Sequence, residues 1–274
     1  MNKPIGIFDS GVGGLTVFRK IRKKLPEKDI IYFGDTARVP YGSKSKNTII
    51  QYSLQNATFL IRQNIKILVV ACNTSSAYAI DELKKHFHIP IIGVIEPGAI
   101  KALEVTRNKR IGIIGTYGTI KSRSYEKSLK ALSKDCYIFS KATPLLVPLV
   151  EENWIDHQVS KMIIKEYLAE LIEQKIDTLI LGCTHYPVLK KVIKEVVGKD
   201  VQLVDSAETV AQKIQQFFSE ESSGERIGNN TFYISDNPEK FKLSGKQILK
   251  QDLENVHKVY FSDAWIVDNF EKQI

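Results

Sequence analysis

Two of the chain's three cysteines stand in similar settings. "LVVACNTSSA" (68 to 77) and "LILGCTHYPV" (179 to 188) each read as a buried strand running into a helix start, with a thiol at the junction and a polar pair behind it. A free thiol has a pKa of about 8.5, and a helix N-terminus or a charged neighbour can move it. Cys72 and Cys183 therefore suit a reaction that inverts a carbon centre, removing a proton from one face and returning one to the other. One thiolate and one thiol do this, and they exchange roles in the reverse direction. Asp9 at the end of "PIGIFD" and His185, two residues beyond Cys183, are of the types that handle protons and can poise the two sulfurs.

Such a pair works only if the fold brings both thiols to one place. Short apolar runs rich in Val and Ile predict strands at 4–9, 30–35, 66–72, 89–95, 110–116, 178–183, 201–205 and, more weakly, 231–235. Amphipathic helices are expected at 14–24, 46–63, 75–87, 97–106, 121–133, 158–174, 188–197 and 207–219. Continuous apolar strands alternating with helices indicate a parallel sheet covered on both faces, so the fold class is α/β. "IGIFDSGVGG" from Ile5 is echoed by "IGIIGTYGT" from Ile111, and each segment later reaches a strand-end cysteine. Two similar parallel-sheet units related by a pseudo-twofold axis follow from this repeat. The expected division is 1–97 plus 207–274 for the first and 98–206 for the second, with the active site in the cleft between them. In such sheets sites form beyond the carboxyl ends of the strands, where Asp9, Asp35, Cys72, Thr116, Cys183 and Asp205 all fall.

Composition narrows the class of partner. The 274 residues carry a net charge of +8, which attracts polyanions. In "GLTVFRKIRKKL", however, the basic residues occupy the face left by Leu15, Phe18, Ile21 and Leu25, and the same pattern recurs in other helices. Basicity spread in this way argues against nucleic acid as partner. The start "MNKPIGIFDS" lacks the layout of a signal peptide, and no apolar run approaches the roughly 20 residues of a membrane span. Three cysteines fit a reducing compartment. The expectation is a soluble, cytoplasmic protein without membrane contact.

Other chemistries fit less well. "DSGVGGLT" matches neither the dinucleotide glycines nor the Gly-Lys-Ser/Thr loop, and reads better as a tight turn offering N–H groups to a carboxylate. Cys183 and His185 form a lone C-x-H without paired-ligand spacing, so no metal site is expected. Cys136 reads as a small core residue, His86, His88, His157 and His257 as surface residues, and Asp35 and Asp205 as turn caps.

"FDSGVGG", "DTARVPYG" (35 to 42), "ACNTSSA" (71 to 77) and "LGCTHYP" (181 to 187), in this order and spread over essentially the whole chain, resemble the cofactor-independent aspartate/glutamate racemase superfamily, and within it the glutamate racemases. The resemblance implies a pyridoxal-independent isomerase that interconverts L- and D-glutamate and supplies D-glutamate for cell-wall peptidoglycan. It implies no cofactor, and a homodimer. By the same resemblance Cys72 and Cys183 are the acid/base pair, with Cys183 serving L-glutamate and Cys72 D-glutamate. Asp9 and His185 assist them, and Glu151 in "LVEENW" supports His185. Substrate contacts are expected from Asp9, Ser10, Tyr41, Gly42, Asn73, Thr74, Thr184 and His185. His185 also favours glutamate, since the related aspartate racemases tend to carry Glu there. Ser10, Asn73 and Thr184 are expected at helix starts, as short neutral groups that hold the substrate's charged ends.

Overall fold

The computed structural model describes residues 3–220 and 226–260. Part of the polar loop "SEESSGERIGNN" and the last residues assigned to the first unit lie outside them.

The chain begins β1 (Ile5–Asp9), α1 (Leu15–Lys24), β2 (Ile30–Gly34), α2 (Lys46–Arg62), β3 (Ile67–Val70), α3 (Asn73–His86), β4 (Ile91–Gly93) and α4 (Ile95–Val105). It continues β5 (Arg110–Gly115), α5 (Tyr117–Ser122), α6 (Ser124–Leu132), β6 (Tyr137–Ala142), α7 (Leu146–Glu151), α8 (Gln158–Glu173), β7 (Thr178–Gly182), α9 (Lys190–Val197) and β8 (Gln202–Val204). It closes with α10 (Ala207–Phe217), β9 (Asn230–Ile234), α11 (Pro238–Leu249) and β10 (Val256–Lys258). Single turns of 3₁₀ helix at Tyr41–Ser43 and Tyr186–Leu189 complete the described elements.

Two parallel sheets result, with order β10-β9-β2-β1-β3-β4 in the first lobe and β6-β5-β7-β8 in the second. Removing β9 and β10 leaves the same order in both, and the register agrees: Ile5 pairs with Ile67 as Ile111 pairs with Thr178. Counting up from these pairs, Ser10 corresponds to Thr116, Cys72 to Cys183, Asn73 to Thr184 and Thr74 to His185. The repeat extends to packing. A Cβ on Gly6 would lie 2.5 Å from Ile65 Cδ1, and one on Gly112 would lie 2.6 Å from the equivalent Ile176 Cδ1.

Both sheets are covered on both faces. Along β1 and β3, Ile5, Ile7, Ile67 and Val69 pack with α1 and α10 residues such as Phe18 and Ile214, while Phe8, Leu68 and Val70 pack with Leu60 of α2 and Leu83 of α3. In β7, Leu179 and Leu181 face Ile164 and Leu168 of α8, and Ile180 faces Ala99 of α4 and Leu129 of α6. Alternate residues thus enter different apolar clusters, which is why the strands read as unbroken hydrophobic runs.

The sequence reading is corrected in several places. The strand expected at 89–95 is only Ile91–Gly93, because α4 begins at Ile95 and the apolar run passes from strand into helix without a polar break. The helix expected at 121–133 is two helices meeting at Arg123, whose left-handed backbone (φ 56°) turns the chain. Strands β6 and β10 were not foreseen, nor were helices α7 and α11. β6 ("YIFSKA") is an edge strand, half-exposed and broken by Ser and Lys, so it lacks an apolar signature. No helix among the described residues is long and apolar enough to cross a membrane.

Candidate active site

In the first lobe, the turn after β1 folds around the carboxylate that ends the strand. Gly11 and Gly14 donate backbone N–H groups to Asp9 Oδ2 at 3.1 and 3.0 Å, and Tyr32 Oη donates to Gly11 O at 2.7 Å. Gly13 and Gly14 permit this wrapping. A Cβ on Gly13 would stand 2.5 Å from Thr184 Oγ1 and 2.6 Å from His185 Nδ1, and one on Gly14 would strike Asp9 and Tyr32. The expected tight turn is therefore present, and Asp9 is its centre. Ser10 follows Asp9 in this turn and not at a helix start, since α1 begins at Leu15. Cys72 is the residue immediately before α3, extended in backbone, with its thiol 3.6 Å from Ser10 Oγ and the Ser75 backbone N–H also bonded to the sulfur. Asn73 opens α3.

In the second lobe, Cys183 follows β7 and leads into the 3₁₀ turn at Tyr186–Leu189 ahead of α9, so Thr184 precedes a 3₁₀ turn and not an α-helix. Cys183 Sγ lies 3.8 Å from His185 Nδ1. On the other side of the ring, Nε2 is 3.3 Å from Glu151 Oε1, off the axis of a well-formed hydrogen bond, so the contact is chiefly an attraction of charges. Thr184 Oγ1 crosses between lobes to donate to Asp9 Oδ1 at 3.2 Å.

Cys72 and Cys183 line one narrow cavity, together with Ser10, Tyr41, Gly42, Asn73, Thr74, Thr184 and His185. Val39, Pro40, Thr116 and Val147 complete its wall. Asp9 stands behind this wall, fully buried, and acts on it through Thr184 and its charge. Glu151 likewise is not in the lining and reaches the site through His185. The cavity is narrow, with free room of about 20 Å³, close to that of a single water.

The two sulfurs sit in unlike fields. Burial raises Cys72 to about 11, and the Asp9 carboxylate adds to the rise, so at neutral pH it is a thiol. Burial alone would lower His185, but its hydrogen bond to Cys183 and its contact with Glu151 outweigh this and hold the ring near 10, an imidazolium at neutral pH. Burial also lifts the Asp9 carboxyl above its usual range, opposed by the charge of His185 and by the N–H groups of Gly14 and Gly11. Burial would raise Glu151 too, yet His185 and, more weakly, Lys240 bring it below its ordinary value. One side of the cavity thus holds a proton on sulfur, and the other sets a cation beside sulfur.

Tyr41 enters differently from the rest. Its hydroxyl donates to Asp35 Oδ2 and accepts from Asn56 Nδ2 at 3.0 Å, while its side chain packs in one apolar cluster with Cys72 and Ile49. Asp35 is more than the turn cap read from the sequence. It is fully buried, accepts from Tyr41 and from Ser235 Oγ at 2.9 Å, and pairs with Arg38 Nε at 2.7 Å. Asp205 pairs with Lys190 at 2.9 Å. Thr116 and Thr119 were missed as site residues. Thr74 Oγ1 is 2.9 Å from Thr116 Oγ1 and 3.2 Å from Thr119 Oγ1, a cluster of three hydroxyls at one end of the cavity joining the lobes. The repeat carried the signal, since Thr116 is the counterpart of Ser10.

Comparison with known proteins gives the family. A model described as Asp/Glu/Hydantoin racemase matches residues 5–214. The glutamate racemase of Geobacter metallireducens is 49% identical over 263 residues, covering 94% of this chain and 96% of the relative. Among solved structures, a glutamate racemase of Bacillus anthracis superposes with a TM-score of 0.90 at 38% identity, covering 94% of this chain and 97% of that one. The Francisella tularensis glutamate racemase, solved in complex with D-glutamate, gives 0.87 at 36%, with the same coverage of 94% and 97%. With its two parallel sheets, its paired strand-end thiols and a match over most of its length, the chain belongs to the Asp/Glu/hydantoin racemase family.

Proposed function

We propose that the chain interconverts L- and D-glutamate by proton transfer at the α-carbon, without a cofactor, in the cavity between its lobes. The observation that carries this reading is the pair of thiols lining one cavity in opposite electrostatic settings, Cys72 beside Ser10 under Asp9 and Cys183 beside the imidazolium of His185. In this mechanism Cys183 is the base that removes the α-proton of L-glutamate, with the imidazolium of His185 beside it. Cys72, a thiol, delivers its proton to the opposite face. The product then leaves a thiolate at Cys72 and a thiol at Cys183, the arrangement the D-enantiomer needs. Asp9 and His185 tune the two sulfurs, and Glu151 steadies the imidazolium. Ser10, Asn73, Thr74 and Thr184 hold the substrate's charged groups, with the Tyr41–Gly42 turn beside it and the Thr116 hydroxyl set for a carboxylate.

Glutamate as substrate is supported by the names of the relatives, and by His185 standing where the resemblance favours it. D-glutamate of this origin feeds peptidoglycan synthesis. The functional division proposed is 1–97 plus 207–274 against 98–206, with the chain passing between sheets near α4 and again near α10. A homodimer belongs to the same reading.

The test is circular dichroism of the purified protein with L-glutamate, and separately L-aspartate, with no cofactor added. Loss of optical activity with glutamate is expected. In heavy water, Cys183→Ala should exchange the α-hydrogen of D-glutamate only, and Cys72→Ala that of L-glutamate only, neither inverting the centre. Racemisation near the wild-type rate in either variant would eliminate the two-thiol mechanism, since one sulfur cannot reach both faces of a held carbon.

A further inference from the structure

Tyr125, on α6 of the second lobe, is fully buried among Ile95, Ala99, Leu129 and Ile180, yet its hydroxyl leaves that apolar cluster for the other lobe. It donates to Asn73 Oδ1 at 2.7 Å. A phenol has one proton and an amide oxygen can only accept, so that proton goes to Asn73. The amide oxygen of Asn73 is then occupied, and the NH₂ is the end left for the cavity that Asn73 lines. An NH₂ there offers a donor to a carboxylate, whereas the reversed amide would set a carbonyl against it.

The ring has a second contact. A Cβ on Gly182, the residue before Cys183, would lie 3.2 Å from Tyr125 Cε2, and one on Gly98 of α4 would lie 3.1 Å from Cε1. A side chain at either glycine would crowd the ring. Tyr125 therefore touches the residue after one thiol and the residue before the other.

We propose that Tyr125 is a positioning residue for the racemisation, fixing the orientation of the Asn73 amide and gauging the separation of the backbones that carry Cys72 and Cys183. The proposal rests on the glutamate reading above. It assigns no proton transfer to Tyr125, which acts through Asn73.

The experiment is a double-mutant cycle of Tyr125→Phe and Asn73→Ala, with kcat and KM followed in both directions and Tm recorded for each variant. In the wild-type background, Tyr125→Phe should lower kcat/KM about five- to tenfold, mainly through KM, as expected for the loss of one orienting hydrogen bond. The factor must be the same in both directions, because enantiomers have equal free energy. In the Asn73→Ala background the same change should cost less than about twofold. A tyrosine that only fills space would lower Tm without this coupling. The full factor appearing again in the Asn73→Ala background, or kcat/KM of Tyr125→Phe at the wild-type level, overturns the proposal. Where turnover of the double variant is too slow, glutamate affinity by calorimetry is read in the same cycle. If Tyr125→Phe is unfolded at the assay temperature, the same cycle is run at a temperature below its Tm with the same criterion. A wild-type protein inert toward glutamate removes the functional reading and this proposal together. An active wild type with an additive cycle removes this proposal alone.

Discussion

Cys72 and Cys183 occupy equivalent positions of a repeated backbone, so their chemical difference comes from their neighbours. Cys72 lies deep beside a carboxylate, and its rise to about 11 makes a test by alkylation direct. Labelling of Cys72 by iodoacetamide, followed by peptide mass spectrometry, should accelerate with pH up to about 11. A plateau near the ordinary thiol value of about 8.5 would contradict the part assigned to burial and Asp9. His185 bears on stability. Its folded value near 10 lies above the roughly 6.5 of a free imidazole, so the folded state binds the proton more tightly. The stabilisation is complete below about pH 6.5 and is lost as pH rises toward 10. The Tm advantage of wild type over His185→Asn should therefore shrink from about pH 6 to about pH 9.5, and an advantage that is constant with pH would contradict the charged ring. Asp9 was legible as a residue of the right type and Glu151 only through the family resemblance, but that both stand behind the lining was not legible. Sequence spacing does not say which side of a wall a side chain takes.

The glycines of the strands and turns divide into two kinds. Gly13 is set against Thr184 and His185 of the opposite lobe, with 2.5 Å left for a Cβ at the nearest atom. Gly13→Ala should displace the imidazole and lower kcat/KM by about a hundredfold, the scale of an ångström's misplacement, while circular dichroism stays native. Gly112 instead faces Ile176 in the core, away from the cavity. Gly112→Ala should cost about 1–3 kcal/mol in urea unfolding by overpacking, with KM unchanged in the surviving folded protein. A normal kcat/KM in the first variant or an altered KM in the second would show that these elements are misassigned. Central strands and long helices were legible because burial on two faces or one writes a plain apolar period into the residues. The edge strands β6 and β10 lack that period because much of each faces water, and α7, six residues with a proline among them, is too short to show one.

At the scale of the whole molecule, the lobes meet around a cavity with free room of about 20 Å³, about that of one water, and glutamate is expected to widen the gap between them as it enters. A substrate held by side chains from both lobes binds the folded state alone. Glutamate at about a hundred times its Kd should then stabilise the protein by about 2.7 kcal/mol, visible as a rise of a few degrees in Tm. No shift, with wild-type activity intact, would place binding energy elsewhere. Light scattering should give about twice the 31.0 kDa chain mass for the proposed homodimer, and a monomer mass would refute it. By itself the sequence determined the α/β class, the repeat, the two strand-end thiols and the residue types around them, because each is written in local periodicity or local spacing. Only the tertiary structure decided what depends on residues distant in the chain. It set Asp9 beside Thr184 across the lobes, placed the Thr74, Thr116 and Thr119 hydroxyls together, and turned the Tyr41 hydroxyl away from the cavity toward Asp35 and Asn56. That Cys72 holds its proton at neutral pH follows from that packing, because burial and the nearest charge, not the residue's name, set where a proton is held.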